Sequence, residues 1–227
     1  EAFYLFPHWL GEQHIPGSRA LHSKEISLLM EDVGISQKSV MDFCGQWSRM
    51  QNPVKSIYYD ITSISSYSVN NDYIEWGHNR DKEDLPQINI GLMCSRETGL
   101  PLFYQVYPGS IVDVTTLFNS LKYIKLYQLS DDLLVLDRGF CSKDNIKELN
   151  SCGNITFLQP LTFSLKATKG LIKSVKNTIK QTRNAFKYNE EILYYQGAEF
   201  ELGNIKYHAH IYYNEKAGVE SKHNFLD

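Results

Sequence analysis

No apolar run approaches the roughly 20 residues that a membrane-spanning helix needs, and no secretory leader is recognisable, so no membrane partner is expected. Cysteine is scarce. Cys44, Cys94, Cys141 and Cys152 show no C-x-x-C spacing, which argues against zinc and redox motifs. Four scattered thiols fit a reducing cytoplasm better than a disulfide framework. Neither sign of charge dominates. The formal net charge of −3 argues weakly against nucleic-acid binding, although a net value conceals how charges are distributed. Methionine is absent from position 1, which suggests a piece of a longer chain. What is present is ordinary for a soluble globular protein, 42% hydrophobic and 22% charged, and 227 residues suffice for one large domain or one domain with a smaller insertion.

The most informative stretch is Asp131-Asp132-Leu133-Leu134-Val135-Leu136-Asp137-Arg138-Gly139-Phe140. Four aliphatic residues bounded by a turn signal predict a strand buried on both faces. Asp137 stands at its carboxyl end, the edge at which open α/β sheets bind ligands. The plainer alternative is an acid that only caps the next helix, predicted from about Ser142 to Leu149. A second acid favours chemistry: Asp60 lies in 56–62, a run rich in β-branched and aromatic residues that predicts another strand. Residues 87–94 alternate with period two and 100–107 predict a third strand, so the first three strands, with short connections, predict an antiparallel meander. Asp113 is an expected N-cap for a helix to about Tyr127 with Leu117, Leu121 and Ile124 inward, and 154–158 predict a fifth strand.

The order β-β-β-α-β-α-β predicts a mixed α/β sheet with helices on its faces. If the crossover helix lays the fourth strand parallel to and beside the first, Asp60 and Asp137 lie on neighbouring strands about 4.8 Å apart. Two carboxylates so close repel and call for a divalent cation, and hard oxygen ligands suit Mg²⁺ or Mn²⁺. The first fifty residues predict a loop and two helices. One covers 21–33 and stops at Gly34; the other is capped by Ser36 and runs to Met50, with Val40, Phe43, Trp47 and Met50 on the face that covers a sheet.

Tyr59-Asp60-Ile61-Thr62-Ser63, Gly77-His78-Asn79-Arg80-Asp81, Asp84-Leu85-Pro86-Gln87, Gly99-Leu100-Pro101-Leu102, Gly109 with Asp113, and Leu136-Asp137-Arg138-Gly139-Phe140 follow one another in order. Together they resemble the DDE transposases of prokaryotic insertion sequences, in the branch with a β-rich insertion between the second Asp and the final Glu. The resemblance implies a ribonuclease H-like core over 54–164, an N-terminal helical segment over 1–53, and a basic helix with the start of the insertion over 165–227. It matches Asp60 to the first catalytic acid and Asp137 to the second, both as ligands in a site holding two Mg²⁺ or Mn²⁺ ions. The implied reaction is cleavage of transposon ends and their transfer into target double-stranded DNA, by a homo-oligomer in a synaptic complex, in a prokaryotic cytoplasm at the nucleoid. The final Glu of the family sits in a tyrosine, arginine, glutamate and lysine signature that this chain lacks; Glu215 and Glu220 fall in a polar tail. Truncation inside the insertion, and hence an inactive fragment, is the expectation. A metal-dependent nuclease or resolvase of the same fold, or a decayed or domesticated DNA-binding protein, are the alternatives.

Positive charge gathers where acids are missing. Lys166, Lys169, Lys173, Lys176, Lys180, Arg183 and Lys187 recur at spacings of three and four, with no acid over 165–188. On one continuous helix they would form a stripe beside an apolar one of Ile172, Val175, Ile179 and Phe186. Such a helix can be a solvated face, a membrane-surface helix or a phosphate-binding element; beside a nuclease-like core, DNA phosphate contact is expected. Residues 198–202 and 205–213 predict a hairpin across Gly203-Asn204. His208 and His210 share a face beside Lys206, and surface residues are expected there rather than a metal pair.

Overall fold

The computed structural model describes residues 3–13, 15, 19, 21–51, 54–78, 84–111, 113–127, 133–151, 155–202 and 204–218. Asn79, Arg80, Asp81, Asp131, Asp132, Cys152, Gly203 and Glu220 lie outside them. The chain divides into two compact units, Glu1–Val135 with Asn154–Thr156, and Leu136–Gly153 with Phe157–Asp227.

Helices α1 (Phe6–Glu12), α2 (Ser23–Ile35) and α3 (Gln37–Met50) precede strands β1 (Ser56–Ser65), β2 (Gln87–Ser95) and β3 (Pro101–Pro108), followed by α4 (Asp113–Leu126). With β4 (Leu133–Leu136) and β5 (Thr156–Leu158) the strands form a five-stranded sheet in the order β3-β2-β1-β4-β5. The first three are the expected antiparallel meander, Asp60 lying opposite Leu92 and Leu92 opposite Tyr104. The amide of Leu133 donates to the carbonyl of Lys55 at 3.0 Å, joining the beginnings of β4 and β1. Two neighbouring strands bonded start to start must run the same way, because an antiparallel β4 would leave the end of β1 after one residue. The parallel bonding pattern then sets Ser56 beside Leu133. This is a ribonuclease H-like mixed sheet, as the resemblance implied.

One face of the sheet is sealed by α4, whose Leu117, Leu121 and Ile124 are buried as the helical spacing predicted, with Ile57, Tyr59 and Ile61 of β1 buried too. A chain of hydroxyls crosses this core. Ser120 Oγ donates to the Tyr59 hydroxyl at 2.9 Å and lies 3.1 Å from that of Tyr107, which donates to the Thr116 carbonyl. Burial drives the Tyr107 pKa upward, so this phenol stays a hydrogen-bond donor.

Two helical expectations need correction. The stop expected at Gly34 comes at Ile35, because Ser36 is the first residue to leave helical backbone (φ −91°, ψ 80°), its side chain accepting from Ser39 N to start α3. The buried face of α3 is Cys44, Gly45 and Ser48, whereas Phe43 is 65% and Met50 77% exposed. Small residues win because they let the helix lie close to β3. A Cβ on Gly45 would already stand 3.4 Å from the Tyr127 ring, Ser48 Oγ donates to the Leu102 carbonyl, and Trp47 Nε1 donates to that of Pro101.

The second unit holds α5 (Lys143–Ser151), α6 (Lys166–Val175) and a three-stranded antiparallel sheet, β6 (Ala185–Tyr188), β7 (Glu191–Leu202) and β8 (Ile205–Asn214), in the order β6-β7-β8. The predicted hairpin is present and longer than expected: Leu202 pairs with Ile205 and the ladder runs to Leu193 opposite Asn214. Asn204 takes a left-handed φ of 65°, as tight hairpin turns require.

Candidate active site

Asp60 owes its position to strand alternation. Tyr59 and Ile61 point into the sealed core and Asp60 to the opposite, exposed face, with Tyr58 and Thr62. Its Oδ1 accepts the amide of Ile61 at 2.8 Å, which fixes the orientation of the carboxylate. Asp137 follows the last residue of β4 and is exposed. A one-turn 3₁₀ helix, Arg138–Phe140, starts there, anchored by fully buried Phe140, and the Asp137 side chain makes no capping bond to it. The capping alternative for α5 is overturned as well: Ser142 Oγ accepts the amide of Asn145 at 3.0 Å and does that work. Both acids offer hard, solvent-accessible oxygens of the kind that Mg²⁺ or Mn²⁺ takes. Among the described residues no group of three or more His, Cys, Asp or Glu side chains forms a metal centre.

Several residues that carry the family resemblance meet in a junction within the first unit. Ser63 Oγ donates to Asn89 Oδ1, while Asn89 Nδ2 donates to the carbonyls of Gly109 and Ile111. Gln87 Nε2 donates to the carbonyls of His78 and Gly109. Glu75 and Gln87 exchange two backbone bonds, and the Gly109 amide donates to the Tyr73 carbonyl. The glycines are obligatory: a Cβ on Gly77 would sit 1.9 Å from the Gly109 carbonyl oxygen, and one on Gly109 would sit 2.1 Å from that of Gln87. On β2 the buried positions are therefore the polar Gln87, Asn89 and Ser95 with Gly91 and Met93, while Ile88, Ile90 and Leu92 are half-buried. Periodicity identified the alternation, but only the amide contacts show why polar side chains occupy the inner face.

The basic stripe is shorter than expected. Lys166, Lys169 and Lys173 lie exposed along α6, opposite buried Thr168, Leu171 and Val175, but the helix ends at Val175. Lys176, Lys180, Arg183 and Lys187 are not on it. The cause is local. The Val175 carbonyl accepts from the amides of Thr178 and Ile179 and from Thr178 Oγ1, and Asn184 Nδ2 donates to the carbonyls of Thr178 and Ile179. Side chains that bond to nearby backbone end helices in this way. Lys180 sits over the Tyr213 ring at 4.3 Å and 3.8 Å from Glu215, and its hydrogen bond to Tyr213 raises its pKa. Lys187 lies 2.6 Å from Glu190.

His208 and His210 take separate partners: His208 Nδ1 is 3.9 Å from Glu199, and His210 Nδ1 is 2.9 Å from the Tyr195 hydroxyl. Sequence reasoning missed the surface to which His210 belongs. Tyr195 and Tyr212 are cross-strand partners, their ring centroids 5.2 Å apart, on the face of the β6-β7-β8 sheet turned away from the Gln196 side chain that Thr178 binds. The period-two spacing of Tyr195 with Gly197 and of His210 with Tyr212 was the available signal. No helix of the described residues is long and apolar enough to cross a membrane.

Among solved structures, a piggyBac transposase synaptic complex with hairpin DNA is 16% identical at a TM-score of 0.40, over 78% of this chain and 38% of that one. A pre-cleavage Mos1 transpososome is 13% identical at 0.33, over 67% and 50%. A Mos1 transposase paired-end complex with left transposon end is 9% identical at 0.33, over 81% and 62%. The chain thus spans less than two thirds of each of those chains. Comparison with curated proteins gives no match. The family model described as the transposase DDE domain matches residues 55–226, which take in the whole meander, Asp60, Asp137, α6 and the hairpin. With well over half of its length matched, the chain belongs to the transposase DDE domain family.

Proposed function

We propose that the chain is the catalytic core of a DNA transposase of a prokaryotic insertion sequence, in which Asp60 and Asp137 are the first two acids of a divalent-metal site that cleaves and transfers transposon ends. One observation carries this reading. β1 and β4 are neighbours bonded start to start, Lys55 to Leu133, and four residues beyond the paired Ser56 and Leu133 stand Asp60 and Asp137. Asp60 on the exposed face of β1 and Asp137 directly after β4 hold the two positions that the family resemblance matches to the first and second acids. When bound there, Mg²⁺ or Mn²⁺ would supply activation of an oxygen nucleophile and stabilisation of the leaving oxygen. The chain's own contribution is placement. Tyr59 and Ile61, both buried, hold β1 so that Asp60 cannot retreat from the exposed face, and buried Phe140 anchors the turn that begins at Asp137. A third carboxylate would complete the family's site, and among the described residues no group of three such side chains is assembled. The substrate is double-stranded DNA at the transposon ends and at the target, bound by a homo-oligomer at the nucleoid.

The test is Asp137→Asn in the full-length protein with Mg²⁺ and a plasmid carrying the transposon ends. Nicking should disappear while duplex binding stays within about twofold; nicking that survives would remove Asp137 from the mechanism. The absence of a three-membered metal cluster among the described residues favours one second reading, a DNA-binding protein without catalysis. That reading expects Mg²⁺-independent duplex binding and no cleavage by the full-length wild-type protein.

A further inference from the structure

We propose that the open face of the β6-β7-β8 sheet holds one nucleotide of a single DNA strand, its base on the aromatic rings and its phosphate at Arg183. The inference rests on the transposase reading for its choice of DNA. A groove of about 570 Å³ runs over this face, lined chiefly by Arg183, Phe186, Tyr195, Gly197, His210 and Tyr212. Its volume suits one nucleotide, within the roughly 300–1,000 Å³ of small-ligand sites. The rings are arranged as a platform. Tyr195 and His210 stack with 19° between their planes and centroids 5.9 Å apart, Tyr212 leans on Tyr195, and Phe186 meets Tyr212 edge-on at 6.3 Å. Tyr212 is 61% exposed although it belongs to a β-strand, so a large flat ring is left in water on a surface that the neighbouring strands hold in place. Gly197, opposite His210, keeps the floor open; a Cβ there would approach the Tyr195 hydroxyl to 3.2 Å.

Charge selects the ligand. Among the described residues no acid lines the groove, and Arg183 supplies a fixed cation. Aromatic faces take any base by stacking, and a guanidinium takes the adjoining phosphate through paired hydrogen bonds. An apolar peptide or a second copy of the chain would use the rings but leave Arg183 without a purpose. Lys187 does not serve this site in the same way, because Glu190 already neutralises it.

The experiment uses the full chain, an end-labelled oligothymidylate of roughly twelve nucleotides and a duplex of the same length, read by fluorescence anisotropy, with dTMP as competitor. Tyr195→Ala and Tyr212→Ala should each weaken oligothymidylate binding by about five- to a hundredfold, in keeping with the loss of one stacked base, and leave duplex binding unchanged. Arg183→Gln should lower the salt slope for the single strand by about 0.7. Gly197→Ala serves as an independent variant, because it narrows the groove without removing a ring; it should weaken single-strand binding alone. Wild-type affinity for oligothymidylate in the tyrosine variants, with circular dichroism unchanged, would overturn the proposal. So would direct binding of dTMP, read by calorimetry, in a protein that does not bind the oligonucleotide, which would make the ligand a free nucleotide. Failure of the transposase reading shows elsewhere, in nicking that is indifferent to Asp137→Asn.

Discussion

Gly109→Ala tests whether the family-like glycines act through packing. The added Cβ would stand 2.1 Å from the Gln87 carbonyl oxygen and 2.4 Å from that of Glu75, and both are backbone atoms that cannot swing aside. Relief requires the Glu75–Gln87 bridge to part, with its two backbone bonds of 3.0 and 2.9 Å. Overpacking of this kind costs about 1–3 kcal/mol, and each lost hydrogen bond adds about 0.5–1.5 kcal/mol, so the sum is roughly 2–6 kcal/mol. For a chain of this size about 2–4 °C accompanies each kcal/mol, so the melting temperature should fall by roughly 4–24 °C in a calorimetric or circular-dichroism melt. Gly34→Ala is the internal control. It lies within α2, and a Cβ added there would meet nothing within 4 Å, so the same change should stabilise by up to ~1 kcal/mol through helix propensity. A Gly109→Ala melt within about 2 °C of wild type would refute the packing argument and place Gly109 among residues acting on substrate.

Two further predictions separate groups that look alike in sequence. Lys169→Gln and Lys173→Gln, exposed on α6, should each reduce the salt slope of duplex binding by about 0.9, whereas Lys187→Gln should change it less because Glu190 already neutralises Lys187. Slopes for Lys169→Gln and Lys173→Gln equal to that of wild type in a salt titration would reduce the α6 stripe to a solvated face. Glu97 accepts the amide of Lys55, its main cause of a lowered pKa, and the hydroxyl of Ser95. Because the folded value lies below the ordinary 4.5, its stabilising contribution is present above that pH and is lost as pH falls through the folded value. Urea midpoints of wild type and Glu97→Gln should therefore differ at pH 7 and draw together as pH falls below the ordinary carboxylate range; a gap that does not shrink at all on acidification would assign the difference to packing.

Legibility in the sequence followed the range of the interaction. Strand and helix existence along the core is set by local pattern, so the meander, Leu117, Leu121 and Ile124 on α4, and Ser36 as a cap all emerge from spacing alone. The buried face of α3 does not, because hydrophobicity nominated Phe43 and Met50 while the separation of α3 from β3 selected Gly45 and Ser48, and that separation is fixed by residues more than fifty positions away, Pro101 and Leu102. The basic stripe failed for a different reason. Charge spacing from Lys166 to Lys187 is helical throughout, but Thr178 and Asn184 offer the backbone competing bonds, and a propensity summed over the segment does not register two side chains that satisfy the same carbonyls the helix would use. The same logic bears on the site. Asp60 and Asp137 were picked out by their place at strand positions and paired by the assumption that β4 lies beside β1. The Leu133–Lys55 bond replaces that assumption for the start of the strands. A carboxylate donated by a distant helix has no such local signature, since nothing in the spacing around a lone Glu distinguishes a ligand from a solvated acid. The third acid of this family is therefore the ligand least accessible to periodicity, and it has to be sought by nicking assays on Glu→Gln variants of the full-length protein.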